Sequence, residues 1–95
     1  MIVVHEIFIA KPGMASKLAA LFKEMAASGP AMKGVRILTD VTGGYNRVIM
    51  QSEFASLADF EKGMEEYRKA GPPTGKMANY TEMYQTGSRE IYRVV

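Results

Sequence analysis

Ile2-Val3-Val4-His5-Glu6-Ile7-Phe8-Ile9-Ala10 is the stretch on which the fold turns. β-Branched and aromatic residues dominate it and Lys11-Pro12-Gly13 closes it, so it reads as a strand ended by a turn. Side chains alternate across a strand, which puts Ile2, Val4 and Phe8 on one side and Val3, Ile7 and Ile9 on the other. Both sides are apolar, the pattern of a central strand covered twice. His5 and Glu6 are the exceptions and point to opposite faces, so they form no dyad within the strand. If His5 faces away from the helices, Glu6 faces them and needs a basic partner; a structural ion pair is the plainer role for it.

Downstream of this strand, Met14, Leu18, Leu21, Phe22 and Met25 trace one stripe of a helix, and Ser28-Gly29-Pro30 stops it. Val35 to Val41 and Tyr45 to Phe54 alternate as two strands around Thr42-Gly43-Gly44, where paired glycines suit a tight turn. Ser56-Leu57-Ala58-Asp59 opens a second helix with a hydroxyl cap, and Leu57, Phe60, Met64 and Tyr67 form its apolar stripe up to Gly71-Pro72-Pro73. Met77, Tyr80 and Tyr84 are spaced as on a short third helix over Lys76 to Gln85, stopped by Gly87. Arg89 to Val95 is the last strand.

The order β-α-β-β-α-(α)-β predicts an α+β, ferredoxin-like split βαβ domain with an antiparallel sheet. Helices then cover one sheet face only, and the doubly apolar first strand requires something to cover the other; a second copy of the same sheet is the economical cover.

The composition bounds the rest. The 95 residues, 47% of them hydrophobic and 23% charged, suit one domain spanning 1–95 with a buried core. A net charge of +2 with scattered Lys and Arg points to neither nucleic acid nor a membrane surface. The absence of cysteine excludes disulfides and thiolate chemistry. No run approaches the roughly 20 apolar residues of a membrane span, and Met1 to Glu6 lacks the basic start of a signal peptide, so a cytoplasmic protein is expected. Gly44-Tyr45-Asn46-Arg47-Val48-Ile49-Met50 is not the aromatic signature of an RNA-recognition strand, and phosphate loops and nucleophile elbows are missing.

The Lys11-Pro12-Gly13 turn, the hairpin through Gly43-Gly44, the run Glu53-Phe54-Ala55-Ser56-Leu57-Ala58-Asp59-Phe60 and the closing Thr86-Gly87-Ser88-Arg89-Glu90-Ile91-Tyr92 resemble the dimeric α+β barrel superfamily. The nearest flavour is NIPSNAP-like, with the antibiotic-biosynthesis monooxygenase domain as a cousin. The resemblance spans nearly the whole chain and implies a homodimer with facing sheets that enclose a small-molecule cavity. Across that superfamily the cavity serves cofactor-free oxygenation of quinols, haem degradation or lactone isomerisation. The implied reading here is a small-molecule-binding protein, in one form a cofactor-independent monooxygenase acting on an aromatic or quinol-like substrate. Its rival is a non-catalytic binding or assembly module.

Candidate chemistry centres on His5, Tyr45 and Arg47. His5, the only histidine, is a general base or haem ligand, or simply a ring satisfied by a neighbour. A metal site there would have to recruit Glu6, Glu53 or Asp40, and neither a metal nor a cofactor is expected. Tyr45, Arg47, Ile49, Gln51 and Glu53 share one strand face. On it Arg47 and Tyr45 could hold an anionic oxygen, or the row is an ordinary wetted face. Arg36 lies on either side, since hairpin register is not fixed by sequence. Met50, Met77, Tyr80 and Tyr84 are candidate pocket lining, against the alternative of core and dimer packing.

Overall fold

The structure, a computed structural model, describes residues 1–28, 34–71, 74–75 and 78–95. Four strands, β1 (Ile2–Ala10), β2 (Arg36–Thr39), β3 (Arg47–Phe54) and β4 (Tyr84–Arg93), and two helices, α1 (Ala15–Ser28) and α2 (Leu57–Ala70), follow in the order β1-α1-β2-β3-α2-β4. The sheet runs β2-β3-β1-β4 with every neighbour antiparallel, the ferredoxin-like arrangement the pattern predicts. β1 is central, as its two apolar sides require.

One sheet face carries both helices. α1 buries Leu18 and Phe22 against Ala10 and Val48, with Phe8, Met14, Met25, Ile37 and Met50 around them. Phe8 and Phe22 pack with ring centroids 4.8 Å apart. α2 buries Phe60 against Ile2 and Val4, with Phe54 and Met64 beside it. Ser56 caps α2 as expected: its hydroxyl accepts the Asp59 N–H at 3.2 Å. Leu57 and Tyr67, assigned to the same apolar stripe, are 54% and 48% exposed instead, because α2 turns a narrower strip toward the sheet. Between the two clusters sits Glu6, paired with Arg89, which also lies 5.2 Å over the Phe60 ring. The ion-pair reading of Glu6 is therefore the one realised.

Three boundaries differ from the sequence pattern. The hairpin arms are shorter than Val35–Val41 and Tyr45–Phe54, since residues 41–46 form a loop with Gly43 at φ 105° and Asn46 at φ 63°. Asp40 closes that loop, its Oδ1 accepting the Arg47 N–H at 3.2 Å. In place of a helix over Lys76 to Gln85, the described residues there include a 3-10 turn, Tyr80–Glu82; Lys76 and Met77 lie outside the described residues. β4 then starts at Tyr84 rather than Arg89, with Gln85 as an extra residue where the register against Ile9 and Ala10 shifts. Gly87 does not stop a helix. It lies within β4 opposite Phe8, where an added Cβ would stand 3.3 Å from the Ile7 carbonyl oxygen and 3.7 Å from the Phe8 ring.

Candidate functional site

No described helix lies over the second sheet face. Strand registers put Val3, His5, Ile7 and Ile9 of β1 there, flanked on β3 by Glu53, Gln51, Ile49 and Arg47 and on β4 by Tyr92, Glu90, Ser88 and Thr86. Arg36 and Leu38 of β2 join them opposite Gln51 and Ile49, which settles the side on which Arg36 lies. The centre of the face is apolar, and one polar group interrupts it.

That group is built on His5. Its Nε2 donates to the Gln51 side-chain oxygen at 2.8 Å across the β1–β3 pair. A neutral ring that donates from Nε2 keeps Nδ1 as its acceptor, so the basic atom is the one left open. The Tyr92 ring stands edge-on to the imidazole with centroids 5.5 Å apart. Its hydroxyl donates to Glu90, and this hydrogen bond, then burial, holds the phenol above its ordinary value. The result is an imidazole between an amide and a phenol–carboxylate pair, on a half-open apolar floor.

The other predicted site residues are dispersed. Arg47 shares the face with His5 but pairs with Ile9, four residues along β1, about 14 Å away at strand rise. Its guanidinium folds back over Gly44. Tyr45 is in the 41–46 loop, 89% exposed, and belongs to no strand face. Met50 points to the helices and packs with α1. Tyr80 and Tyr84 also pack on the helix side, with ring centroids 6.0 Å apart and Phe22 and Phe8 against them, the core-packing alternative. Burial, then the hydrogen bond with Tyr67, raises the Tyr80 phenol above its ordinary value. Met77 lies outside the described residues. Tyr84 does line an open hollow of about 370 Å³ with Glu6, Ile7, Phe8, Gly87, Ser88 and Arg89, along the β1–β4 pair. Glu90 and Tyr92 are partners that the sequence pattern does not reveal. Their alternation in the last strand is visible in it, but their meeting with His5 depends on the β1–β4 register.

Among the described residues no three of His, Asp and Glu converge as metal ligands. No helix among them is long and apolar enough to cross a membrane.

The chain matches no protein-family model and no curated protein. Solved structures do match it over nearly its whole length. A NIPSNAP family protein from Agrobacterium tumefaciens superposes with TM-score 0.74 at 17% identity, covering 99% of this chain and 92% of its own. The fold is that of the NIPSNAP proteins. A NIPSNAP domain protein from Burkholderia xenovorans follows at TM-score 0.69 and 11% identity, covering 100% and 95% of the two chains. A candidate antibiotic biosynthesis monooxygenase from Deinococcus radiodurans gives 0.59 at 10% identity, covering 100% and 93%. At these identities the NIPSNAP likeness is one of backbone architecture, and the resemblance drawn from the sequence holds at that level.

Proposed function

We propose that the chain works as a homodimer that binds a small aromatic, quinol-like molecule in the space enclosed by its open sheet face, with His5 as the group that takes a proton from it. The observation that carries this is the open face itself: Val3, Ile7, Ile9, Ile49 and Leu38 form an apolar floor that no described helix covers, crossed by the polar row Arg36, Gln51, His5 and Glu90. A second copy removes that floor from water, and an apolar ring inside the enclosure would meet the open Nδ1 of His5 as its proton acceptor.

The oxygenase form of this reading draws support from the fold shared with the candidate monooxygenase of Deinococcus radiodurans. In it, His5 removes a proton from a ring methylene made acidic by conjugated carbonyl or aryl groups, which in a quinol is the methylene of its diketo tautomer. The resulting carbanion reduces molecular oxygen; one oxygen atom ends as a carbonyl on the substrate and the other leaves as water. The protein's share is proton removal, orientation and exclusion of solvent. The assembly-module reading is favoured by a different observation, the dispersal of Tyr45 and Arg47 away from His5.

One experiment separates them. Native mass spectrometry of the full chain should give a dimer, and oxygen uptake with anthrone or 1,4-dihydroxynaphthalene should exceed the blank. His5→Gln should reduce that uptake by about a hundredfold or more while the dimer persists. Uptake equal to the blank, with no change in melting temperature on adding either probe, removes the small-molecule reading and leaves assembly.

A further inference from the structure

The polar rung of the open face gives His5 two direct neighbours, Gln51 on β3 and Glu90 on β4. Toward Val3 its diagonal neighbours are Glu53 and Tyr92, and toward Ile7 they are Ile49 and Ser88, which carry no charge. Arg36 lies beyond Gln51, two strand spacings or about 10 Å off, and Arg47 is at the far end of β3. Two carboxylates therefore stand near the imidazole, and they differ. Glu53 is exposed at a diagonal position, about 7 Å away between Cβ atoms. Glu90 is directly opposite, about 5 Å away on the same measure, and accepts a hydrogen bond from the Tyr92 hydroxyl. The Tyr92 ring in turn stands edge-on to the imidazole, with centroids 5.5 Å apart.

We infer that Glu90 is a positioning residue for the proton that His5 takes: Tyr92 holds its carboxylate while the ring is neutral and yields it to the imidazolium once the ring is charged. The role rests on His5 as the proton acceptor proposed above, and names what stabilises its charged form.

The argument is one of competing donors. Beside a neutral imidazole, the phenol O–H is the best donor within reach of the Glu90 carboxylate. An imidazolium is a better one, because a hydrogen bond or close contact between two ions is roughly twice as strong as one to a neutral partner. Gln51 keeps the ring in place through the exchange, since Nε2–H donates to it in both states. In the reaction the substrate's C–H proton goes to the second ring nitrogen and the electron pair of that bond stays on carbon. Tyr92 keeps its own proton and Glu90 its negative charge. When the carbanion has reduced molecular oxygen, the imidazolium gives its proton to the departing oxygen atom and the carboxylate returns to the phenol. Glu53 has no such tie to the ring, so its charge acts only through distance and solvent.

The chain has one histidine, so full-length protein carrying isotope-labelled histidine gives a single imidazole signal to follow with pH by NMR. Glu90→Gln should lower the pH of half-titration by about 0.5 or more, about threefold in the protonation equilibrium, because the charged ring loses its nearest anion. Tyr92→Phe keeps the ring contact but frees the carboxylate, and should raise that pH by about 0.3 or more. Glu53→Gln removes the same charge from the diagonal position and should move it by less than about half as much as Glu90→Gln. All three side chains are exposed and the changes nearly isosteric, so the protomer should stay folded, as circular dichroism verifies. Oxygen uptake with 1,4-dihydroxynaphthalene should fall about tenfold in Glu90→Gln, and the acid limb of its pH profile should move down with the NMR midpoint. Equal shifts from Glu90→Gln and Glu53→Gln, or a Tyr92→Phe titration that moves downward or not at all, overturn the inference and leave His5 as the proton acceptor. Uptake equal to the blank in the unsubstituted chain, with the titrations displaced as stated, removes the oxygenase reading and keeps the coupling of Glu90 to His5.

Discussion

The two faces of this sheet hold the same kinds of side chain and use them differently. On the helix side Val4, Val48, Leu18 and Phe22 are at most 1% exposed, and the charged pair Glu6–Arg89 is confined to the seam between the helices. On the open side only Ile7 among the apolar residues is buried, at 8%, and a polar rung crosses the whole sheet. The first face builds its core within one chain; on the second, the proposed second copy would supply the cover. A helix-face defect should therefore lower folding stability at any protein concentration, and an open-face defect should weaken association.

The largest expected effect is on the closed face. Phe22→Ala removes a ring that is 1% exposed and packed against Phe8 and Tyr80, and should cost about 3–5 kcal/mol of unfolding free energy. Urea denaturation at two protein concentrations should give the same loss in the protomer's own stability. A loss under about 1 kcal/mol would mean that α1 is not held as described.

Next comes the centre of the open face. Ile49→Asp puts a carboxylate where a second copy would exclude water, and should weaken the dimer by about a hundredfold, or ~3 kcal/mol, while the isolated protomer keeps its fold. Sedimentation equilibrium measures the first quantity and circular dichroism of dilute protein the second. A dimer that survives this change must use another surface, and the contrast between the faces would lose its meaning.

The seam between the closed-face clusters offers a finer test. Glu6→Gln leaves Arg89 over Phe60 but takes away its counter-charge. The two side chains are 24% and 41% exposed, so solvent already screens the pair and the loss should be about 1 kcal/mol, shrinking in high salt. A loss above about 3 kcal/mol would indicate a far drier pair than the structure has.

That both faces of β1 are apolar and need cover is legible in its letters alone, because alternation at period two is a local property and nine residues are enough to display it. Ser56 and Asp59 are legible for the same reason, as a cap involves residues three apart. What sequence does not carry is everything decided by pairing. Arg36 has no assigned face until β2 is registered on β3, and the meeting of Glu90 and Tyr92 with His5 needs β4 registered on β1 across more than eighty residues of chain. Tyr45 reads as part of a strand face because alternation in the letters extends past Asn46, whose left-handed backbone marks the strand's true limit. Tyr80 and Tyr84 have helical spacing without a helix. One 3-10 turn followed at once by a strand brings both rings to the same aromatic cluster, and spacing alone does not distinguish the two routes.

Tyr80 carries the smallest effect and the one most easily confused with something else. Burial, and then its hydrogen bond with Tyr67, favours the neutral phenol, so the folded pKa lies above the ordinary value of 10.0. For an acid raised on folding, the unfolded chain loses its proton first. The stabilisation is fully present below the unfolded value and is lost as pH rises from there through the folded one. Tyr80→Phe should therefore flatten the alkaline limb of the stability curve above about pH 10, by less than about 1 kcal/mol, leaving the slope near neutrality unchanged. Its neutral-pH stability can move in either direction, since the hydrogen bond with Tyr67 is lost as a partly buried hydroxyl is removed, so the slope is the quantity to read. Tyr92→Phe serves as the control on the open face: its phenol is raised chiefly by Glu90 rather than by burial. If association covers that face, the Tyr92 contribution should vary with protein concentration while that of Tyr80 does not. Equal behaviour of the two would mean that both tyrosines report only on the protomer.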